Sequence, residues 1–145
     1  MTIRRKGFDM TVKQTIQEFL TECGMFFFST VKDGAPVTRP LGFHMLHDGE
    51  LYFGVGTFKN VYAQITANPN VYICAAKPDK SGWLRISAKA VCDDDPALVD
   101  ACFQIMPELK GVYDANGWKM GIFHLEDATV TFVEGFMNST TTETF

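Results

Sequence analysis

A mainly β fold, a small antiparallel barrel or strongly curled sheet with helices inserted between its strands, is what this sequence predicts, and three observations carry it. About six segments alternate apolar and polar residues with a period of two. Asp-Gly turns separate several of them, at Lys32-Asp33-Gly34-Ala35 and His47-Asp48-Gly49-Glu50. The strands are too polar on one face for a parallel sheet covered on both sides, and closure into a barrel removes exposed edges.

The elements follow in order. From Thr11 to Cys23, Val12, Ile16, Phe19, Leu20 and Cys23 form one helical stripe, an amphipathic lid helix that Gly24 stops. Met25 to Val31, Pro36 to Leu46 and Leu51 to Val55 read as a three-stranded meander. A helix from Phe58 to Ala67, with Thr57 as its N-cap, carries Val61, Tyr62 and Ile65 at helical spacing and ends at Asn68-Pro69. Val71 to Lys77 and Trp83 to Cys92 continue the sheet, the latter with Leu84, Ile86, Ala88, Ala90 and Cys92 on one face. Asp93-Asp94-Asp95-Pro96 starts a helix to about Met106, as a cap with a solvated face and not a metal site. Pro107 to Tyr113 is a turn or short second helix. Lys119 to Leu125 and Ala128 to Phe136 form a final hairpin across Glu126-Asp127, and Asn138 to Thr142 is a polar tail. The reading is a single domain over 1–145, with 1–10 and 138–145 as loosely ordered ends.

Composition narrows the function classes. With 46% hydrophobic residues and thirteen Phe, the chain fills a sizeable core. A net charge of −4 and a pI near 5.3 disfavour nucleic acid as a partner. Cys23, Cys74, Cys92 and Cys102 lack zinc-ligand spacing and read as reduced core residues. Without a signal peptide or an apolar run of membrane-spanning length, the expectation is a soluble cytoplasmic protein with no membrane partner.

Two features point to an anion. Strand parity places Arg39 with Val37, Leu41, Phe43 and Met45, and a guanidinium among such neighbours is expensive to bury unless an anion meets it. The alternatives are an ion pair with one of the seventeen acidic residues, or a strand distorted around Pro40 and Gly42 that releases the arginine to solvent. Some twenty residues on, Gly54-Val55-Gly56-Thr57-Phe58-Lys59-Asn60 opens a helix, where amide donors, the Thr57 hydroxyl and the Lys59 ammonium suit a phosphate. The run is neither a P-loop nor a dinucleotide fingerprint. His44, His47 and His124 lack a Ser, Cys or second His at motif spacing, so no catalytic residue is assigned.

In sequence order the chain carries Thr38-Arg39-Pro40, Gly49-Glu50-Leu51-Tyr52-Phe53, Thr57-Phe58-Lys59-Asn60, Ala67-Asn68-Pro69 and Trp83-Leu84-Arg85-Ile86-Ser87-Ala88-Lys89-Ala90. From Thr11 to Phe136 this succession resembles the pyridoxamine 5′-phosphate oxidase-like FMN-binding split-barrel proteins. The resemblance implies a homodimer of six-stranded antiparallel split barrels with FMN at the subunit interface. It implies that Arg39 and Lys59 meet the FMN phosphate, helped by Thr57 and Asn60, and that backbone at Pro40, Leu41, Val55 and Gly56 lines the isoalloxazine ring. Trp118 is a further candidate for the cofactor or the dimer contact. The implied activity is that of an FMN-dependent oxidoreductase acting on a small molecule. The rival readings are a flavin-binding module without turnover, serving as sensor or carrier, and a split barrel holding a deazaflavin or haem. The chain departs from the true oxidases in having a single lysine at the helix start and no arginine after Arg85, so the resemblance does not extend to oxidation of pyridoxamine phosphate.

Overall fold

The computed structural model describes residues 2–5 and 8–145, with side chains described from residue 10 onward. Its elements are β1 (Thr2–Arg5), β2 (Phe8–Thr11), α1 (Val12–Cys23), β3 (Phe26–Lys32), β4 (Ala35–Leu41), β5 (His44–His47), β6 (Glu50–Gly56), α2 (Asn60–Ala67), β7 (Asn70–Ala76), β8 (Gly82–Asp93), α3 (Pro96–Ile105), α4 (Pro107–Asn116), β9 (Met120–Glu134) and β10 (Ser139–Thr144). β1 and β2 form a separate hairpin, and the other eight strands make one antiparallel sheet in the order β4-β3-β7-β8-β9-β6-β5, with β10 added on β9.

The connection between β4 and β5 sets the shape. Only Gly42 and Phe43 separate these strands in sequence, yet they occupy opposite ends of the sheet order. Three Cα–Cα steps span at most about 11 Å. The sheet therefore curls until its two edges nearly meet, and because β4 and β5 do not pair with each other the barrel stays split.

Here the structure corrects the predicted meander. The segment from Pro36 to Leu46 is two strands, β4 pairing with β3 and β5 with β6, so the shared face expected for Val37 through Met45 breaks at Gly42. The predicted hairpin at Glu126-Asp127 is a β-bulge inside one continuous strand, β9. Ser87 pairs with Thr129 and Lys89 with Glu126, so β9 spends one residue more than β8 over this stretch, and Asp127 takes a φ of 49° to absorb it. Asn138 to Thr142 is no frayed tail: β10 pairs along β9 from Ser139 to Thr144, where β-branched threonines suit a strand. With one segment split, the hairpin merged and β10 added, the main sheet has eight strands where about six were expected.

Two apolar clusters sit on opposite sides of the curled sheet. Inside the barrel, Phe26, Phe28, Phe53 and Phe123 are fully buried, and the Phe53 and Phe123 rings stack at 5.5 Å. Truncating such a ring costs about 3–5 kcal/mol. The stripe of α1, Val12, Ile16, Phe19 and Leu20, plugs this interior, with Phe19 against Phe132 at 5.6 Å. That helix is fixed at both ends, by a reciprocal Thr11–Gln14 capping box and by Gly24 at φ 79°. Outside the barrel, Met45, Met120 and Ile122 meet Leu98, Cys102 and Tyr113 of α3 and α4, which roof the β5–β6–β9 flank.

All four cysteines are free thiols, but only Cys102 is buried; Cys74 and Cys92 are exposed, which corrects their placement in the core. Cys74 lies on the outward side of β7, and Cys92 lies near the end of β8 beside the Tyr62 hydroxyl. No helix among the described residues is long and apolar enough to cross a membrane.

Candidate functional site

Arg39 stands directly opposite Phe28 in the β3–β4 ladder, and its half-buried side chain reaches across β3 to α2. Nη1 donates to the Phe28 carbonyl at 3.1 Å and to Thr30 Oγ1 at 2.9 Å, and Nη2 donates to Gln64 Oε1 at 2.7 Å. Thr30 in turn donates its hydroxyl to Gln64 Oε1 at 2.5 Å. All three acceptors are neutral, and among the described residues no carboxylate lies within ion-pair distance of the guanidinium. Burial alone lowers its pKa from the ordinary arginine value, with no carboxylate to lift it. A guanidinium has five N–H donors, so about two remain to meet an oxyanion. The ion pair considered for Arg39 is thus not formed, and the strand parity that set it on the inner side is observed: Val37, Arg39 and Leu41 are half-buried while Thr38 and Pro40 are exposed.

Gln64 and Thr30 were not singled out in the sequence, although a signal existed. Parity on β3 puts Thr30 inward with Phe26 and Phe28, and Thr30 is 1% exposed, so a buried hydroxyl marked the position that needed a polar partner.

The helix start differs from the prediction. The Thr57 amide donates to the Lys119 carbonyl at 2.8 Å, extending the β6–β9 ladder, so Thr57 closes the strand and does not cap the helix. Phe58 turns out to stack on Trp118 at 4.3 Å, and α2 begins only at Asn60, with Lys59 at the N-cap position and no side-chain cap bond. The first turn of α2 therefore has no side-chain cap, and the exposed Lys59 stands at the same helix end. Arg39 meets α2 at Gln64, five residues beyond Lys59, or roughly 7.5 Å along the axis. Both cations thus lie along α2, Lys59 at its start and Arg39 of β4 against Gln64 in its second turn, with Asn60 one turn from Gln64.

Of the remaining candidates, Pro40 is exposed opposite Phe27 and Leu41 packs against the barrel core. Val55 points its side chain into that core, and Gly56 is buried under the Phe58 ring, which a Cβ there would meet at 2.4 Å. Trp118 is partly exposed, and with Phe58, Tyr113 and Phe103 it makes an aromatic cluster. A cavity of about 430 Å³ opens beside it, lined among others by Thr57, Tyr62, Asp93, Val99, Phe103 and Trp118. On the other flank of α2 a groove of similar volume runs past Asn60, Ala63 and Gln64 to the Val31–Gly34 turn. The aspartates expected as a cap fill that role: Asp95 accepts from the Ala97 amide at 3.0 Å.

Relatives accord with this architecture. A NimC/NimA family protein from Clostridium acetobutylicum is 25% identical and superposes with a TM-score of 0.82, the match covering 92% of each chain. A pyridoxamine 5′-phosphate oxidase-related, FMN-binding protein from Nostoc punctiforme is 17% identical with a TM-score of 0.64, covering 91% of this chain and 95% of the other. A heme binding protein from Mycobacterium smegmatis, 14% identical with a TM-score of 0.68, matches over 98% of this chain and 59% of its own. No curated protein matches the chain in sequence. Residues 12–117, well over half of the chain, match the family described as pyridoxamine 5′-phosphate oxidase, and with the split barrel these place the chain in that family.

Proposed function

We propose that this chain is an FMN-binding flavoprotein and an oxidoreductase acting on a small molecule, and that the FMN phosphate is held between Arg39 and the N-terminal end of α2. The observation that carries this reading is a half-buried guanidinium satisfied only by neutral acceptors, with donors to spare. Such a cation gains most from a dianion, because Coulomb attraction in a partly desolvated site is strong and nothing there already offsets the charge. Lys59 and the uncapped amides of α2 add a second, more exposed source of positive potential on the same helix. Thr57 and Asn60 complete the hydrogen bonds to the phosphate. The backbone at Pro40, Leu41, Val55 and Gly56 lines the ring, and Trp118, stacked on Phe58 over Gly56, closes its edge.

FMN supplies one- and two-electron chemistry when bound. The chain contributes position, charge and exclusion of water. Free, exposed Cys74 and Cys92 suit a reducing compartment, the cytoplasm. A second copy of the chain fits the outward side of the β4-β3-β7 sheet, where Phe27, 51% exposed, pairs in register with Pro40 and Cys74, and Tyr72 stands nearby at 43%. The FMN-binding relative supports the flavin reading, and no histidine or cysteine lines the cavity beside Trp118.

The test is a visible spectrum of the protein as purified, followed by FMN titration of the stripped protein and assay of NADH and NADPH consumption. Flavin bands with saturable binding and turnover are expected. A colourless protein that takes up no FMN would overturn the reading, and binding without consumption of either nicotinamide would reduce it to a flavin-binding module.

A further inference from the structure

His124 lies on the outer side of β9, opposite Val91 of β8 and Tyr52 of β6. Its Nδ1 is 2.8 Å from Oδ2 of Asp93, the last residue of β8, and its Nε2 is 2.9 Å from Oε2 of Glu126. A neutral imidazole has one N–H and one lone pair, so it can donate to only one of these carboxylates and turns a lone pair on the other. Two contacts of hydrogen-bond length therefore require the doubly protonated ring. With 18% of the side chain exposed, water screens the arrangement only in part. Burial acts to lower the His124 pKa, and the bonds to Asp93 and Glu126, with the field of Glu50, outweigh it and hold the ring above its ordinary 6.5.

The other charged groups around it leave this pairing intact. Glu50 of β6 is engaged by Lys13 of α1 at 2.9 Å, and Lys89 of β8, opposite Glu126, approaches Asp127 at 3.8 Å. Tyr52 presents its ring edgewise at 6.3 Å with its hydroxyl neutral, and Asp95, which precedes α3, is occupied as its N-cap. Among the described residues, His124 is the sole ion-pair partner of Asp93.

Asp93 matters because of where it leads. It opens the Asp93-Asp94-Asp95-Pro96 segment that forms one wall of the cavity beside Trp118 and enters α3. The ladder ties β8 to β9 only as far as Asp93, which pairs with Ile122, so Asp94 and Asp95 lie beyond the last backbone pair. We propose that His124 is a proton-operated clamp: carrying its proton it bridges Asp93 to Glu126 and holds the Asp93–Pro96 wall against β9, and giving the proton up slackens that wall. On deprotonation Glu126, 55% exposed against 21% for Asp93, turns to water first, and Asp93 is left with a neutral donor in place of a charge-assisted one. The cavity thereby changes its outline with pH through one ring.

Native-state hydrogen exchange of the amides in 92–98, corrected for the intrinsic base catalysis and followed from about pH 5.5 to 9 alongside the His124 Cε1–H resonance, tests this. The corrected exchange is expected to rise several-fold with the midpoint of the His124 titration, itself above 6.5. In Glu126→Gln, a change at an exposed position that leaves the fold intact, both midpoints move down together. His124→Gln abolishes the step. A His124 that titrates at or below 6.5, or an exchange profile flat across its titration in the wild type, overturns the proposal.

Discussion

Arg39 on β4 and His124 on β9 are both cations set into the flank of the same sheet, and their surroundings differ in one respect. Arg39 meets a carbonyl, a hydroxyl and an amide oxygen, all neutral. His124 meets two carboxylates. Lys77 belongs with His124: it pairs with Glu22 and Glu134, both at 3.2 Å, over the Phe19 ring. Burial alone does not separate a binding cation from a structural one, since all three are partly buried. Charge compensation does, because a cation already offset by carboxylates has little left to gain from a ligand anion, whereas one held by dipoles keeps nearly its full attraction.

The largest expected effect breaks the Arg39 side of this contrast. Arg39→Met weakens FMN binding by about 1.5–3 kcal/mol, roughly 10- to 150-fold, while stability changes little, because the Thr30–Gln64 hydrogen bond survives without the arginine. Fluorescence titration and thermal unfolding of one preparation read both quantities. The reverse pattern holds for the compensated cation. Asp93→Asn lowers stability by about 1–1.5 kcal/mol, a Tm loss of about 3–6 °C, and costs far less FMN affinity than Arg39→Met. Unfolding curves at neutral pH decide that outcome.

Lys59→Ala is expected to cost about 1 kcal/mol of FMN affinity, less than Arg39→Met, since the exposed ammonium is screened by water. Equal losses at the two positions would erase the distinction drawn between them. The smallest effect is a pH dependence of about 2 °C or less in Tm. His124 has a raised folded pKa, so its contribution is complete below about pH 6.5 and fades as pH rises through that folded value. His44, lowered by burial, acts oppositely: the folded state favours its neutral form, and stability drops as pH falls from about 6.5 toward the folded pKa. Tm profiles of His124→Gln and His44→Gln should each lose one of these slopes.

Much of this was legible before any coordinates. Period-two alternation found the strand segments because each has one buried side, and Gly24 marked a helix end by its left-handed backbone. Parity likewise picked out Arg39 as a cation on an inner face. What escaped was pairing between distant segments. Nothing local in Pro36 to Leu46 says that its two halves join opposite sheet edges, because that depends on curvature of the whole sheet. Glu126-Asp127 has the composition of a turn, and only the partner strand β8 makes it a bulge. Thr57 looked like a cap because the Lys119 carbonyl that claims its amide lies some sixty residues on. Gln64 was invisible as a site residue for the same reason, being brought to Arg39 by the packing of α2 on β3.

The most direct measurement compares the affinities of FMN and riboflavin, which differ by the phosphate alone, for the wild type and Arg39→Met. The wild type should prefer FMN by at least tenfold, or about 1.4 kcal/mol, and the variant should lose most of that preference while its riboflavin affinity stays put. If the wild type bound the two flavins equally, or if the variant kept the full preference for FMN, the phosphate would lie elsewhere and the uncompensated guanidinium would have no part in holding it.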